Sequence, residues 1–350
     1  MPEESIEHIN FDELNKTAIS QPLIKHIYTA DPSAHVFKGK IYIYPSHDVD
    51  AGKAFDDLGS HFAMEDYHVI SMDNPGEEAK DNGVALHVND VPWAEKQMWA
   101  PDANEKEGKY YLYFPAKDHE GIFRIGVATG DAPIGPFKAE PQAIKKTFSI
   151  DPAVFKDDDG SYFMYFGGIW GGQLQRWRTG EFNAVNEESP TAHLPNDDEP
   201  ALCAKVAKLT DDLLELAEDA KDVVIIDQYG NPLLQGDTDR RFFEASWVHK
   251  YNGKYYFSYS TGDTHFICYA TGDNPYGPFT YAGIILNPVV GWTSHHSIVE
   301  FNSEWYLFYH DCSVSKGITH LRNIKVTKLF HDEKGCIKTI EPYKDLKALI

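Results

Sequence analysis

A short phrase recurs five times along the chain, and it constrains the fold more than any other feature. Each copy starts with an ionisable residue, passes through a turn and ends in an aromatic strand; the copies are residues 31–44, 102–113, 151–165, 244–257 and 295–308. The turn residues Gly108 and Gly160 are 52 positions apart, and Gly253 and Ser303 are 50 apart. A repeat of about 50 residues is typical of an architecture of repeated sheet units.

The strands that follow the turns carry apolar or aromatic residues on both faces, as in residues 40–44 and 109–114. Such strands lie between two other layers. A second strand is predicted after each first one, at residues 67–72, 123–128, 173–177, 265–270 and 319–324. Two of these lead into near-identical decapeptides, 128–137 and 270–279, whose Gly and Pro content indicates tight turns. The sequence therefore predicts an all-β, five-bladed β-propeller, in preference to a β-sandwich with coincidental aromatic spacing.

Five blades with their insertions use nearly all of the 350 residues, so we expect one propeller domain over residues 1–350. One segment, at about 195–220, breaks the β pattern and has a helix-forming composition. Thr210 followed by Asp211 and Asp212 could open a short helix at Leu213. We therefore predict a short helical insertion between the third and fourth blades.

Charge and composition narrow the choice of ligand. The chain has 32 Lys and Arg against 54 Asp and Glu, a formal net charge of −22, which disfavours nucleic acid and anionic membranes and favours a small neutral ligand. No apolar run is long enough to span a membrane. The acidic start lacks the features of a secretion signal, so a cytoplasmic location is expected unless a leader has been removed. The four cysteines show no Cys-x-x-Cys pairing and are predicted to be free thiols.

The ionisable residues of the five copies should meet. In a propeller, equivalent positions on the innermost strands face one another at one end of the channel; here they are Asp31, Asp102, Asp151, Glu244 and His295. Carboxylates in a partly desolvated funnel take different pKa values, as an acid and a base require. Hydrolysis of a glycosidic bond uses such a pair, and a separation of about 6.5–9.5 Å gives inversion. Blades that face each other across a channel suit that wider separation.

The ordered set of motifs resembles family 43 of the glycoside hydrolases, over almost the whole chain. The segments that carry the resemblance are residues 29–35, 98–103, 149–154, 243–247 and 294–299. The resemblance implies a five-bladed propeller enzyme that cuts xylosides and arabinosides with inversion.

The resemblance also implies roles for three carboxylates. Asp31 would be the general base that activates water, Glu244 the general acid, and Asp151 the residue that orients Glu244 and raises its pKa. The alternative is that each carboxylate caps a strand or turn, because Asp-Pro at Asp31 and Asp151 is also ordinary turn chemistry.

Four further positions match the family pattern. His295 would contact an axial cation, usually Ca²⁺, held largely by water, although neighbouring His296 competes for that place and a structural role is the alternative. Trp99 would form an aromatic wall beside the sugar, or else belong to the core. Arg322 would reach towards the pocket, or else form an ion pair between blades. Asp102 is assigned to structural support.

These expectations combine into an inverting exo-glycosidase that releases xylose from the non-reducing end of short xylo-oligosaccharides. An α-L-arabinofuranosidase acting on arabinoxylan fragments is the alternative enzyme. A bifunctional enzyme would have both activities. A sugar-binding propeller without catalysis is the alternative of another class. We expect the edge of the pocket to be built either by loops of the chain alone or by a neighbouring subunit. Both a monomer and a homo-oligomer are compatible with the sequence.

Overall fold

Five β-sheets account for most of the regular structure in the computed structural model, which describes residues 9–344. Blade 1 contains β1 (Tyr28–Phe37), β2 (Lys40–Asp48), β3 (Asp66–Met72) and β4 (Lys80–His87). Blade 2 contains β5 (Ala94–Lys96), β6 (Asp102–Lys106), β7 (Lys109–Asp118), β8 (Phe123–Gly130) and β9 (Lys138–Ala139). Blade 3 contains β10 (Ala153–Lys156), β11 (Tyr162–Phe166), β12 (Lys205–Lys208) and β13 (Lys221–Asp222).

Blade 4 contains β14 (Ile225–Ile226), β15 (Glu244–Tyr251), β16 (Lys254–Ser260), β17 (Ile267–Gly272) and β18 (Phe279–Leu286). Blade 5 has three strands, β19 (His296–Phe301), β20 (Glu304–Asp311) and β21 (Asn323–Leu329). Pairing within the blades is antiparallel, except that β14 pairs with β18 in parallel.

The five sheets close into a ring. The innermost strands are β1, β6, β10, β15 and β19, and each contacts the next, with β19 returning to β1. Apolar side chains fill the seams between blades, as where Ile41 and Ile43 of blade 1 meet Phe308 of blade 5. The five-bladed all-β propeller is therefore confirmed, and the recurring phrase supplies the two inner strands of each blade.

The N-terminal segment covers the outer edge of the three-stranded blade 5. The backbone N–H of Leu23 donates to the carbonyl of Ile324 (2.9 Å), and the Ser20 hydroxyl donates to the carbonyl of Val326 (2.7 Å). These bonds occupy backbone groups that an edge strand would otherwise leave unpaired. Before this segment lies α1 (Phe11–Thr17), where the Asn10 side chain accepts a hydrogen bond from the Glu13 N–H and so caps the first turn.

The two similar decapeptides occupy equivalent places in blades 2 and 4. Each contains a cis Gly-Pro peptide, at Gly135-Pro136 and at Gly277-Pro278. In each case a tyrosine of the preceding blade donates its hydroxyl to a carbonyl of the decapeptide. Tyr44 bonds Pro133 (2.7 Å) and Tyr165 bonds Pro275 (2.6 Å). The repeated sequence is thus a repeated contact between neighbouring blades.

Two local expectations are wrong. The helical insertion expected at about 195–220 does not form: this segment contains β12, then a turn at 210–217, then the start of β13. Leu213 is buried between blades 2 and 3, and the Thr210 hydroxyl bonds the Asp212 carboxylate, so packing and turn chemistry outweigh helix propensity. Residues 173–177, expected as a strand, include the 3₁₀ turn Leu174–Trp177. The strand that follows and pairs with β11 in blade 3 is instead β12.

No helix among residues 9–344 is long and apolar enough to cross a membrane. All four cysteines are free, as predicted.

Candidate active site

The ionisable residues of the repeats converge at one end of the ring. Asp31, Asp151, Glu244 and His295 line a single pocket. Asp102, the remaining copy, does not line this pocket. Its carboxylate accepts hydrogen bonds from Ser33 and from the Val154 N–H, so it joins blades 1, 2 and 3, in agreement with the structural role expected for it.

The backbone is distorted where the carboxylates enter the pocket. A β-bulge interrupts β1 between Ala30 and Ser33, and another interrupts β15 between Glu244 and Trp247. Asp31 and Asp151 adopt φ angles of 50° and 55°, which non-glycine residues seldom take. Bulges and such angles re-aim side chains, and they concentrate at functional sites.

Asp31 is held in its ionised form. Arg322 Nη1 donates to its Oδ1 (2.9 Å), and the Ser46 hydroxyl donates to its Oδ2 (2.7 Å). Burial alone would raise the pKa of Asp31, but the Arg322 charge and the Ser46 hydrogen bond, among other contacts, lower it to about 2. The side chain is therefore a carboxylate at neutral pH, in the state that a general base needs.

The pKa values of Asp151 and Glu244 are shifted in the opposite direction, upwards. Burial raises the pKa of Glu244 well above its ordinary value, and the negative charge of Asp151 raises it further. Burial and the charge of Asp31 likewise raise the pKa of Asp151, whose Oδ2 accepts the Ala245 N–H (2.8 Å). Ala245 directly follows Glu244, so this hydrogen bond fixes the backbone beside the glutamate. The pocket thus combines the ionised Asp31 with two carboxyl groups, those of Asp151 and Glu244, whose surroundings favour the protonated form.

His295 is the histidine that lines the pocket. Its Nδ1 accepts the His296 N–H (2.8 Å), whereas its buried Nε2 has no hydrogen-bond partner among residues 9–344. The side chain of His296 is fully buried elsewhere and lies 2.6 Å from the Ser258 hydroxyl of blade 4. The two competing histidines therefore have different surroundings, and His295 is the one whose Nε2 atom reaches the pocket, where it lies 3.9 Å from Oδ2 of Asp151.

Arg322 joins two carboxylates inside the protein. Its Nε and Nη2 donate to both carboxylate oxygens of Asp48 (2.8 and 2.7 Å), while Nη1 reaches Asp31. Its guanidinium also lies over the Phe62 ring, 4.8 Å from the centroid. Arg322 lines the pocket and also forms an ion pair within the protein, so the structure combines the two alternatives expected for it.

Trp99 forms part of the pocket wall. Its Nε1 donates to the Phe62 carbonyl (2.8 Å), and its ring packs against Phe123 at 4.6 Å between centroids. Gly59 leaves room for this ring, because a Cβ atom at Gly59 would lie 2.7 Å from the Trp99 ring. The side chain is 9% exposed, which places Trp99 at the border between core and pocket.

Sequence reasoning missed two groups of residues around the pocket. The first group, Asp48, Ser46 and His310, surrounds Asp31. The Nδ1 atom of His310 accepts the Asp31 backbone N–H (2.9 Å), so this imidazole is neutral. Burial lowers the pKa of His310 to about 3. The second group is the aromatic cluster Trp170, Phe243 and Trp292, in which the Trp170 and Trp292 rings stack at 5.7 Å.

A sequence signal for the second group existed in the glycine pairs 167–168 and 171–172, which flank Trp170. A Cβ at Gly171 would lie 2.6 Å from the Leu58 carbonyl oxygen, and one at Gly168 would lie 3.2 Å from Cβ of Glu244. These glycines let the loop of blade 3 lie against the loop of blade 1 and against the glutamate. Paired glycines in a loop thus indicated close backbone approach.

Comparison with known proteins agrees with this geometry. The family model described as "Glycosyl hydrolases family 43" matches residues 77–337. The chain belongs to glycosyl hydrolase family 43. The resemblance inferred from the five motifs is therefore confirmed.

Individual relatives match over almost their full length. The chain is 59% identical to a xylosidase/arabinosidase of Bacteroides ovatus, over 91% of this chain and 97% of the relative. It is 56% identical to a beta-xylosidase of Xylanibacter ruminicola, over 90% and 97%. A solved family 43 beta-xylosidase/alpha-arabinofuranosidase from a compost microbial metagenome, in complex with xylotriose and in a calcium-free form, is 65% identical. It superposes with a TM-score of 0.90 over 93% of this chain and 98% of that one.

Proposed function

We propose that this family 43 hydrolase is an inverting, exo-acting β-xylosidase that releases xylose from the non-reducing end of short xylo-oligosaccharides, with α-L-arabinofuranosidase side activity. The observation that carries the proposal is the pairing, in one pocket, of an ionised Asp31 with a Glu244 whose pKa is raised. A sugar-binding propeller has no need of two carboxyl groups held in opposite protonation states. The relatives named xylosidase and arabinosidase support the same substrate class.

In the proposed mechanism, each of the two reacting carboxyl groups carries out one step. Asp31 takes a proton from a water molecule as that water attacks the anomeric carbon, and Glu244 gives its proton to the departing glycosidic oxygen. Asp151 acts through Glu244 by keeping the proton on it. Arg322 acts through Asp31 by keeping it ionised. The two reacting carboxyl groups come from blades 1 and 4, which are not neighbours in the ring.

We further infer that Ca²⁺ binds beside His295. The buried Nε2 atom of His295 has no hydrogen-bond partner among residues 9–344 and fits one ligand position; Ca²⁺ prefers oxygen, so water would fill most of the others. The related structure obtained in a calcium-free form supports this assignment. When bound, the ion would supply positive charge beside His295, which favours the ionised form of nearby carboxylates.

The activity is tested with matched substrates. Aryl β-xyloside, aryl α-L-arabinofuranoside and xylobiose are assayed with the same preparation, and the anomer first released from xylobiose is read by proton NMR. We expect the xyloside to be the better aryl substrate and the first product to be α-xylose, the inverted anomer. Binding of xylobiose without turnover would overturn the enzyme assignment, a dominant arabinosidase activity would reverse the order of substrates, and β-xylose as first product would exclude inversion.

A further inference from the structure

Outside the active site, blade 1 carries a cluster of histidine and aspartate side chains. His47 lies on β2, and Asp66 and His68 lie on β3. One ligand atom from each of the three lies within 4.8 Å of the other two. None of the three lines the pocket that holds Asp31. The cluster therefore lies outside the active-site pocket.

The register of blade 1 explains why these side chains meet. Ile43 pairs with Ile70 across β2 and β3, and extension of this antiparallel register places His47 opposite Asp66. Asp66 and His68 are two residues apart on one strand, so they project from the same face. The arrangement is thus built by two paired strands rather than by a loop, which favours a well-defined geometry.

The contacts within the cluster leave ligand atoms available. His47 Nδ1 lies 2.6 Å from an Asp66 oxygen, and the His47 and His68 rings are 4.6 Å apart. His68 Nδ1 lies 2.9 Å from Asp81 Oδ1. Since Asp81 takes Nδ1, the other ring nitrogen of His68 is left as the ligand. A carboxylate that orients a metal-binding histidine through its second nitrogen is a recurring feature of metal sites.

The cluster is also accessible. The side chains of His47, Asp66 and His68 keep 17%, 17% and 12% of their surface exposed. Asp81, which contacts His68, lines an open surface groove together with His26. An ion can therefore reach the cluster from solvent, and water can complete its coordination.

We propose that His47, Asp66 and His68 form a site for a divalent transition metal of the Zn²⁺ class, with Asp81 as the residue that positions His68. Two imidazoles and one carboxylate are a donor set that suits Zn²⁺ and Co²⁺ but not Ca²⁺, which prefers oxygen. Ligand atoms of a tetrahedral Zn²⁺ site are separated by about 3.4 Å, given metal–ligand distances near 2.1 Å. The three ligand atoms here lie within 4.8 Å of one another, so small side-chain adjustments bring them to that spacing. The metal would replace the proton shared by His47 and Asp66.

The test uses tag-free, chelator-treated protein, titrated with Co²⁺ by visible absorption and with Zn²⁺ by calorimetry. We expect saturable binding of one Co²⁺ with the intense absorption of a low-coordinate site, displaced by Zn²⁺ and unaffected by excess Ca²⁺. Asp66→Asn and His68→Ala should each weaken Zn²⁺ binding by at least about 100-fold, and Asp81→Asn by about 10–100-fold. Circular dichroism of the metal-free variants checks that they fold, and His47→Gln replaces any variant that does not.

Two controls separate this site from other histidines. His119→Ala removes an exposed histidine from the turn between β7 and β8, and His295→Ala removes the histidine of the active-site pocket. Both variants should bind Zn²⁺ with wild-type affinity. Loss of Zn²⁺ binding in His295→Ala, unchanged binding in both Asp66→Asn and His68→Ala, or no saturable binding at micromolar Zn²⁺ would each overturn the proposal. None of these results depends on glycosidase activity.

Discussion

Nη1 of Arg322 lies 2.9 Å from Oδ1 of Asp31, so a guanidinium from the end of blade 5 fixes the charge of a carboxylate from blade 1. The same guanidinium is held on its other edge by Asp48. Because both partners are buried, the interaction is poorly screened by solvent and orients Asp31 as well as ionising it. The pKa of Asp31, lowered from 3.8 to about 2, contributes about 2 kcal/mol of stability above pH 4, which is lost as the pH falls towards 2.

Arg322→Lys tests this coupling. Lysine cannot keep the forked bond to Asp48 and the bond to Asp31 together, so burial should dominate and the pKa of Asp31 should rise. Since the proposed general base must be ionised to act, the acidic limb of kcat/KM should move to higher pH. The melting temperature should also fall, because loss of a buried ion pair costs about 3–5 kcal/mol. Arg124→Lys, which alters the partly exposed pair with Asp118, is the control and should leave the pH profile unchanged.

Glu244→Gln tests the general acid. The amide cannot give a proton to the departing oxygen, so turnover of xylobiose should fall by about 10²–10⁴-fold. An aryl xyloside with an activated leaving group should lose much less, because its departure needs little protonation. The matched control is Glu300→Gln, at an exposed glutamate of blade 5, which should change neither rate. Equal losses on both substrates would assign Glu244 a different role.

Asp151→Asn tests how the proton is kept on Glu244. The asparagine carbonyl can still accept the Ala245 N–H, but the negative charge is gone, so the pKa of Glu244 should fall. The proposed general acid must be protonated to act, so activity should be lost as the pH rises through the pKa of Glu244. The basic limb of kcat/KM should therefore move to lower pH, whereas Asp159→Asn, at an exposed site of the same blade, should not move it. An unmoved basic limb in Asp151→Asn would contradict the assigned role.

The repeats made the fold and the centre of the pocket predictable from sequence. Asp31, Asp151 and Glu244 belong to copies of one phrase, and equivalent positions in a ring of blades necessarily face the same axis. Asp48 and His310 were not predictable in this way. They lie on the second strands of blades 1 and 5, outside the repeated position: Asp48 reaches Asp31 through Arg322, and His310 reaches it across the seam between the two blades.

The helix that was expected near Leu213 and does not form shows a second limit of prediction from sequence. The segment around Leu213 has helix-forming composition, but Leu213 fills the seam between blades 2 and 3, and the Thr210 hydroxyl receives the Glu215 N–H. Local propensity is worth tenths of a kcal/mol per residue, whereas burial of a leucine is worth about 1.5–3 kcal/mol. Burial depends on the neighbouring blades and is not visible in the segment itself. For the same reason, the contact between Trp170 and Trp292 could not be predicted, because their loops meet only in the folded protein.

The calcium site proposed beside His295 predicts a shift in stability. A ligand that binds only the folded state raises the melting temperature, so millimolar Ca²⁺ should raise the melting temperature of chelator-treated protein. His295→Ala should remove this response, and His119→Ala should keep it. The measurement is a thermal melt followed by circular dichroism, with and without Ca²⁺. An equal response in His295→Ala would place the ion elsewhere.

Gly59→Ala tests whether the position of Trp99 matters for the sugar. Gly59 has φ +74°, and an added Cβ would lie 2.7 and 2.8 Å from two atoms of the indole, so the ring must move. Gly52 has a similar φ of +64° but nothing within 4 Å of an added Cβ, which makes Gly52→Ala the matched control for backbone strain. Both variants should lose about 1 kcal/mol of stability from the left-handed backbone. Only Gly59→Ala should also raise KM for xylobiose, because the apolar face against the sugar is displaced. Equal KM values in the two variants would show that Trp99 has a purely structural role.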